Sequence, residues 1–269
     1  MEYFTVFKYN DSLYQIKDAL GVLSTLVVGC DKALLFDTGY GIGNLKEEVK
    51  KITNLPLIVV NSHGHMDHSC GNYLFDKVYI HKDDMDLCIE HNGIERRKRN
   101  LANVKNINKL PNGFDEEAYL KQNEGNLVEL KIGDTFDLGG IILEVIPFQG
   151  HTKGSIALFN RQDKYLLVGD ATCPFVWLFL KESMPVSVYI DSLKKALELD
   201  FDYFLVGHGP RLFPRSKMID FLKIAEDIKL EESVPVNFEG YGVDVIYCYT
   251  KGKMYDQNDC GVVFDPNKL

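Results

Sequence analysis

The stretch His63-Gly64-His65-Met66-Asp67-His68 places three imidazoles and a carboxylate within six residues. It comes just after Leu57–Val60, a wholly apolar run that predicts a central strand covered on both faces. The chain of 269 residues contains seven histidines, so three in one short motif are unlike a scattered surface distribution. The pattern indicates a metal-binding loop at the end of a buried strand.

The spacing within this motif allows two metal ions to be bound side by side. On an extended segment residues two apart point the same way, so His63 and His65 can reach one ion. Asp67 and His68 come after a turn and can face a second ion. Imidazole and carboxylate ligands suit zinc, and also iron or manganese.

Three further candidate ligands lie at the ends of other predicted strands. His151 follows a strand at 141–147, Asp170 follows one at 165–168, and His208 follows one at 204–206. Each lies beside glycine, which allows tight turns and close backbone approach. In open α/β sheets the carboxyl ends of the strands are where ligands and cofactors bind. With the motif, these residues supply five histidines and two aspartates.

The order of the predicted elements indicates a layered α/β fold. Residues 1–60 are predicted as strands with one short helix at 45–51, and strands return from residue 127. Amphipathic patterns predict helices at 187–199 and 213–230. Residues 82–122 are charged and mostly helical, which favours an inserted helical cap. We expect two similar halves packed together in a single domain spanning residues 1–269.

This set of residues resembles the metallo-β-lactamase superfamily, from Asp37 to His208. The resemblance implies a four-layer αβ/βα sandwich with two mixed sheets and the metals at one edge between them. It also implies the ligand sets: His63, His65 and His151 for one metal, Asp67, His68 and His208 for the other, and Asp170 bridging both.

The resemblance further implies roles for residues around the two divalent ions, which are expected to be zinc, with iron or manganese as alternatives. Asp37 would orient a ligand histidine through its other ring nitrogen, although aspartate is also common in plain turns. Asp67 would orient a metal-bound hydroxide. Asp170 points away from true β-lactamases, which generally lack the bridging aspartate, and towards the glyoxalase II and lactonase branches.

These features predict a metal-dependent hydrolase acting on a small-molecule ester, lactone, thioester or phosphoester. Two alternatives stay open: a mononuclear iron oxidoreductase similar to persulfide dioxygenases, and a non-catalytic module that binds a metal or a ligand. The motif separates the first two poorly, because the persulfide dioxygenase branch keeps much of it. No match to the glutathione-binding basic residues of glyoxalase II is found, so the substrate stays open.

Two segments are predicted to select the substrate: the cap at 82–122 and the stretch 171–185. The second contains Cys173, Phe175, Trp177 and Met184, which suggest a pocket for a partly apolar substrate. Core packing or a homodimer contact explains each of them at least as well. His81 and His91 have no supporting neighbours and are predicted to be structural or surface residues.

Composition limits the partners that we expect. The formal net charge of −9 repels phosphate backbones, and the basic cluster at 96–99 is more typical of a solvated helix face. The longest apolar run, 175–180, is too short to span a bilayer, and residues 1–10 show no signal peptide. We therefore expect a cytoplasmic protein that acts on a small molecule and binds neither nucleic acid nor membrane. A homodimer stays open.

Overall fold

The structure is a computed structural model that describes residues 3–238, 241–243, 245–256 and 258–269. Its strands are β1 (Thr5–Lys8), β2 (Leu13–Lys17), β3 (Leu23–Val28), β4 (Ala33–Phe36), β5 (Leu57–Val60), β6 (Val78–His81), β7 (Leu127–Leu130), β8 (Thr135–Asp137), β9 (Ile142–Pro147), β10 (Ile156–Asn160), β11 (Tyr165–Gly169), β12 (Phe175–Leu178), β13 (Tyr203–Val206), β14 (Phe213–Pro214), β15 (Val234–Val236), β16 (Ile246–Thr250) and β17 (Gly261–Phe264). Its α-helices are α1 (Leu45–Lys50), α2 (Met66–Ser69), α3 (Met85–His91), α4 (Ile94–Asn106), α5 (Glu116–Leu120), α6 (Val186–Leu197) and α7 (Arg215–Glu226).

The strands form two large sheets and one small sheet. The first has seven strands in chain order, antiparallel from β1 to β4 and parallel from β4 to β7. The second has six strands in the order β14-β13-β11-β10-β9-β8, in which β11 and β13 are parallel. The third sheet, β12-β17-β16-β15, is an addition to the two sheets that the sequence predicts.

The two large sheets pack face to face and carry helices on their outer faces. Alternation along β4 shows this, because Leu34 and Phe36 lie in the core between the sheets with Leu158 of β10. Leu35 points the other way and packs with Leu45 of α1. Helices α6 and α7 cover the outer face of the second sheet with a separate apolar cluster. The predicted four-layer αβ/βα sandwich is confirmed.

Several predicted elements match the structure to within a few residues. The apolar run Leu57–Val60 is β5, and it is apolar on both faces because Val60 faces the core between the sheets while Val59 faces the outer cluster. The helix predicted at 213–230 is shorter, since Phe213–Pro214 pairs with β13 before α7 begins. Among the described residues, no helix combines the length and apolar character that crossing a membrane requires.

Residues 82–122 contain α3, α4 and α5, and one buried arginine ties them to the motif. The guanidinium of Arg97 is fully buried and donates to Cys70 O (3.1 Å), at the end of α2, and to Asn123 O (2.8 Å). It also donates to Asn92 O (3.1 Å) and Oδ1 (2.7 Å). Helix α2 contains Asp67 and His68, so this segment helps to hold the helix that presents two candidate ligands.

Candidate metal centre

Four loops bring the candidate ligands together at the carboxyl ends of strands from both large sheets. The motif follows β5, His151 follows β9, Asp170 follows β11 and His208 follows β13. Because β11 and β13 are parallel neighbours, Asp170 and His208 leave the sheet side by side. The N–H of Ile156 in β10 donates to Ser62 O (3.0 Å), which joins the motif loop to the second sheet.

Three of the candidate ligands form a compact buried group, called here the three-histidine group: His63, His65 and His151. The Nδ1 atom of His65 lies 3.0 Å from His63 Nε2 and 2.9 Å from His151 Nε2. The three side chains could hold one metal ion between them. A tetrahedral zinc site, with Zn–N bonds of about 2.0–2.1 Å, separates its nitrogen ligands by roughly 3.3 Å, close to what is observed.

Hydrogen bonds on the far sides of two of these rings fix where their protons lie. His65 Nε2 lies 2.6 Å from Glu182 Oε1, and His151 Nδ1 lies 2.8 Å from Trp177 O. Both partners are acceptors, so each of those nitrogens carries the proton. His65 Nδ1 and His151 Nε2 face each other at 2.9 Å, and each therefore presents an unprotonated lone pair to the other.

The proton of the third ring, that of His63, is placed in the same way, through the hydroxyl of Ser62. Ser62 Oγ donates to Asp37 Oδ2 (2.8 Å), so it accepts from His63 Nδ1 (2.9 Å) and leaves His63 Nε2 as a lone pair. Three lone pairs thus converge in a buried space, which is unfavourable unless a cation lies between them. The three-histidine group fits a metal ion for this reason.

The remaining candidate ligands form a second set, called here the two-aspartate group: Asp67, His68, Asp170 and His208. Asp170 Oδ2 lies 3.3 Å from His68 Nε2 and 3.1 Å from His208 Nε2. Asp67 Oδ2 lies 3.5 Å from each of the same two nitrogens. His68 Nδ1 donates to Asp37 Oδ2 (2.8 Å), so Nε2 is the ring nitrogen of His68 that faces the two aspartates. Among the described atoms, His68 Nε2 and Asp170 Oδ1 are buried without a hydrogen-bond partner, and a bound cation would satisfy both.

The local charges also favour a cation. Burial by itself lowers the pKa of His68, but the carboxylates of Asp170 and Asp67 outweigh burial and hold that pKa well above its usual value. The side chain of His208 is 43% exposed, and there the desolvation that lowers the pKa is outweighed by Asp170 and Asp67, which raise the pKa to about 10. Burial, and then the neighbouring histidines, hold the pKa of His63 well below its usual value. The two-aspartate group therefore attracts positive charge, while His63 is kept in the neutral form that binds metal.

Asp37, in the Asp37-Thr38-Gly39 turn, connects the two groups through hydrogen bonds. The carboxylate is buried and accepts from Ser62 N (2.7 Å), Ser62 Oγ (2.8 Å) and His68 Nδ1 (2.8 Å). Its backbone has φ +70°, a conformation that aspartate tolerates better than most residues. Gly169 is required nearby, because a Cβ there would lie 2.5 Å from Ser62 Oγ.

Sequence reasoning missed two residues of the site, Glu182 and His91. Glu182 is 117 positions from His65 along the chain, and no local pattern links them. The ring of His91 stacks on that of His65, with centroids 5.1 Å apart, and its Nδ1 accepts from Met66 N (3.3 Å). His91 is buried and lies on the wall of the site, so a description as merely structural is incomplete. In the described part of the chain, the ring of His81 accepts from Asp83 N (3.4 Å) and lies in neither group.

Replacing Glu182 with glutamine is expected to weaken metal binding at the three-histidine group about tenfold. The neutral amide still accepts from His65 Nε2, but it no longer makes the ring as basic a ligand, and such partners typically affect affinity by about 10–100-fold. Competition with a chromophoric chelator measures this affinity. The exposed Glu231→Gln is the control, and equal affinities for the two variants would contradict the prediction.

A cavity of about 640 Å³ opens beside the two groups. Of the residues predicted to form a substrate pocket, Cys173, Phe175 and Trp177 line this cavity and Met184 does not. The N–H of Met184 instead donates to Gly150 O (2.8 Å), so this residue supports the loop of His151. Other wall residues were not predicted individually: Tyr40, Leu87, Glu90, Arg96, Leu180, Lys181, Tyr241 and Tyr255.

The cavity wall includes aromatic side chains and two cationic ones. Trp177 packs against Phe179, with ring centroids 5.1 Å apart, and against Tyr241 at 5.6 Å. Arg96 and Lys181 contribute positive charge, and Arg96 Nη2 lies 3.7 Å from a carboxylate oxygen of Glu90. Burial, followed by the charge of Asp170, raises the pKa of the Cys173 thiol, so a nucleophilic thiolate is disfavoured there.

A family model and the related sequences of known proteins both indicate the same family. The sequence model described as the metallo-beta-lactamase superfamily matches residues 18–208. The chain is 27% identical over 186 residues to the acyl-coenzyme A thioesterase MBLAC2 of Homo sapiens, which covers 65% of this chain and 66% of that protein. It is 23% identical over 232 residues to a metallo-beta-lactamase fold-containing protein of Sulfurisphaera tokodaii, covering 82% of this chain and 84% of that protein.

A solved structure shares the fold at low sequence identity. A metallo-beta-lactamase from Pontibacter korlensis has a TM-score of 0.62 and 17% identity, covering 84% of this chain and 100% of that one. The match of the family model begins at Asp18 and ends at His208, so it includes every candidate ligand in both groups. The chain therefore belongs to the metallo-beta-lactamase superfamily, as its sequence motifs predict.

Proposed function

We propose that the protein is a metal-dependent hydrolase of acyl thioesters with a dinuclear centre. The observation on which this rests most is the convergence of three lone pairs of the three-histidine group, whose far-side hydrogen bonds fix the protons elsewhere. The two-aspartate group beside it supplies four more donors, which supports a second ion. A second ion favours a hydrolase over the mononuclear iron oxidoreductase that the motif alone leaves open.

In this proposal each residue has a defined part. His63, His65 and His151 would hold one ion, Asp67, His68 and His208 would hold the other, and Asp170 would bridge them. Zinc suits these nitrogen and oxygen ligands. When bound, the two ions would lower the pKa of a water molecule and polarise the substrate carbonyl.

The residues of the chain would then direct the proton and the substrate. Asp67, whose side chain lines the cavity beside both groups, would orient the attacking water and accept its proton. The water oxygen adds to the acyl carbon, the C–S bond breaks, and the thiol leaves with the proton. Cys173 is not assigned a nucleophilic role, because burial raises the pKa of its thiol.

The thioester assignment rests on the cavity and on a relative. The human relative is named an acyl-coenzyme A thioesterase, and the chain spans about two thirds of its length. Phe175 and Trp177 offer an apolar wall for an acyl group. Arg96 and Lys181 offer positive charge for an anionic carrier such as a coenzyme A phosphate.

The experiment compares three substrates with zinc-loaded protein: an acyl-coenzyme A, a short neutral thioester with the same acyl group, and the matching oxygen ester. We expect thioester hydrolysis that chelation abolishes and zinc restores. Fully loaded protein that hydrolyses none of the three would overturn the proposal. Oxygen consumption with a persulfide would instead favour the oxidoreductase.

Arg96→Gln tests how the carrier is recognised. We expect KM for the acyl-coenzyme A to rise about tenfold, because a charge-assisted hydrogen bond is worth about 1.5–3 kcal/mol. KM for the neutral thioester should stay unchanged. Lys98→Gln is the matched control, since Lys98 lies on the same helix and pairs with Glu95 at the surface (2.8 Å). An equal rise in KM for both substrates would contradict anion recognition by Arg96.

A further inference from the structure

We propose that Asp84 is a positioning residue that fixes the separation of the two loops bearing the three-histidine group. The inference rests on the proposed function only in that this group binds a metal ion. Asp84 lies just before α3, outside every motif that the sequence singles out, and its side chain is buried, with the residue 1% exposed.

The carboxylate of Asp84 accepts hydrogen bonds from both loops at once. Its Oδ2 accepts from Gly64 N (2.9 Å), the residue between His63 and His65. The same oxygen accepts from Thr152 Oγ (2.7 Å), and Oδ1 accepts from Gly154 N (2.7 Å). Thr152 follows His151 directly, and Gly154 lies three positions after it. One rigid side chain therefore joins the backbone on either side of the group.

Two glycines let the loops close on this carboxylate. A Cβ at Gly64 would lie 2.7 Å from Asp84 O, and a Cβ at Gly154 would lie 2.6 Å from Asp84 Oδ1. Both distances are shorter than real Cβ contacts allow, so the loops could not approach if these positions had side chains. Gly64 and Gly154 thus have a packing reason that involves Asp84.

A carboxylate is required because all three partners are donors. Thr152 Oγ gives its proton to Asp84, so it accepts from Ser155 Oγ (2.7 Å), whose oxygen in turn accepts from Thr152 N (3.2 Å). None of the three partners could therefore accept a hydrogen bond from a side chain at position 84 unless these groups rearranged. An asparagine would turn an N–H group towards Gly154 N or towards Gly64 N, and that loop would have to move.

The consequence should be selective for one group of ligands. In the described part of the chain, the side-chain hydrogen bonds of Asp84 reach the motif loop at Gly64 and the loop after His151, and none reaches the two-aspartate group. His65 and His151, whose nitrogens lie 2.9 Å apart, would shift relative to each other when one loop moves. Metal affinity should then fall at the three-histidine group and be kept at the other.

The test titrates metal-free Asp84→Asn protein with Co²⁺, whose visible absorption reports each site separately, and repeats the titration with Zn²⁺ against a chelator. We expect the affinity of the three-histidine group to fall at least about tenfold, with the two-aspartate group unchanged. Asp86→Asn is the matched control, because Asp86 is an exposed carboxylate in the first turn of α3, two positions along the chain. Circular dichroism checks that each variant is folded.

Thr152→Val keeps the inference testable if Asp84→Asn does not fold. It removes the hydroxyl donor alone and is expected to lower the same affinity by a smaller factor. Two results with folded Asp84→Asn would overturn the inference: metal affinities equal to those of the parent, or an equal loss of affinity at both groups. If Asp84→Asn is unfolded, a parental affinity in Thr152→Val would overturn it. Failure of the proposed function is a different result, because it is seen in the zinc-loaded parent protein, which would then hydrolyse no thioester whatever the metal affinities of the variants.

Discussion

Asp170→Asn is expected to lower kcat/KM for the thioester about 1,000-fold. Asp170 is the carboxylate closest to both histidines of the two-aspartate group, at 3.3 Å from His68 Nε2 and 3.1 Å from His208 Nε2. An amide cannot bind two cations, and its N–H₂ would face whichever ion lay on that side. If one ion no longer stabilises the transition state, the loss is about 4 kcal/mol, which corresponds to a roughly 1,000-fold lower kcat/KM.

The measurement is steady-state kinetics on zinc-loaded protein, with metal content determined on the same sample. Asp191→Asn on α6 is the control, because this aspartate is exposed and lies on the outer helical layer. The buried atom Asp170 Oδ1 lies close to Gly207, where a Cβ would come within 2.3 Å of it, so there is little room for a larger side chain. Asparagine has nearly the same size and shape as aspartate, and the variant should therefore fold. A loss of less than about tenfold would contradict a bridging role.

Asp37→Asn is expected to lower metal affinity about 100-fold, the upper end of the range for residues that orient ligands. The reason is that Asp37 acts on both groups, through Ser62 on His63 and directly on His68. If the amide nitrogen replaces Oδ2, it meets the donors Ser62 Oγ and His68 Nδ1. His68 would then have to move its proton to Nε2 and would lose the lone pair that faces the second ion.

Backbone strain does not complicate this prediction. Asparagine accepts the φ of +70° at position 37 about as well as aspartate, so an effect on affinity reports the carboxylate itself. Zinc competition titration and thermal unfolding of the metal-free protein are measured together, with the exposed Asp76→Asn as the control. Parental affinity in Asp37→Asn would show that the tautomer of His68 does not depend on this residue.

The residues that the sequence could predict are those whose chemistry is local. The motif His63-Gly64-His65-Met66-Asp67-His68 can be recognised in the sequence because three histidines and an aspartate closely follow a wholly apolar strand. His151, Asp170 and His208 are found because each ends an apolar run beside glycine. The sandwich follows from the same runs, since β4 and β5 are apolar on both faces and must lie between layers.

The residues that the sequence could not predict act through contacts between distant segments. Glu182 contacts a histidine 117 positions away, and Asp84 joins residues 20 and 70 positions away. Met184 shares the apolar character of its neighbours but lies outside the cavity lining, because its backbone bonds the loop of His151. Pattern and composition contain no information about such pairings, which depend on how the two large sheets are packed.

Anomalous diffraction at the zinc edge tests the dinuclear centre most directly, because it locates each ion rather than counting it. We predict two peaks per chain about 3.5–4 Å apart, one bound by His63, His65 and His151 and the other by Asp67, His68 and His208, with Asp170 between them. A single peak at the three-histidine group, or none at either group, in crystals of protein that hydrolyses thioesters would contradict the account.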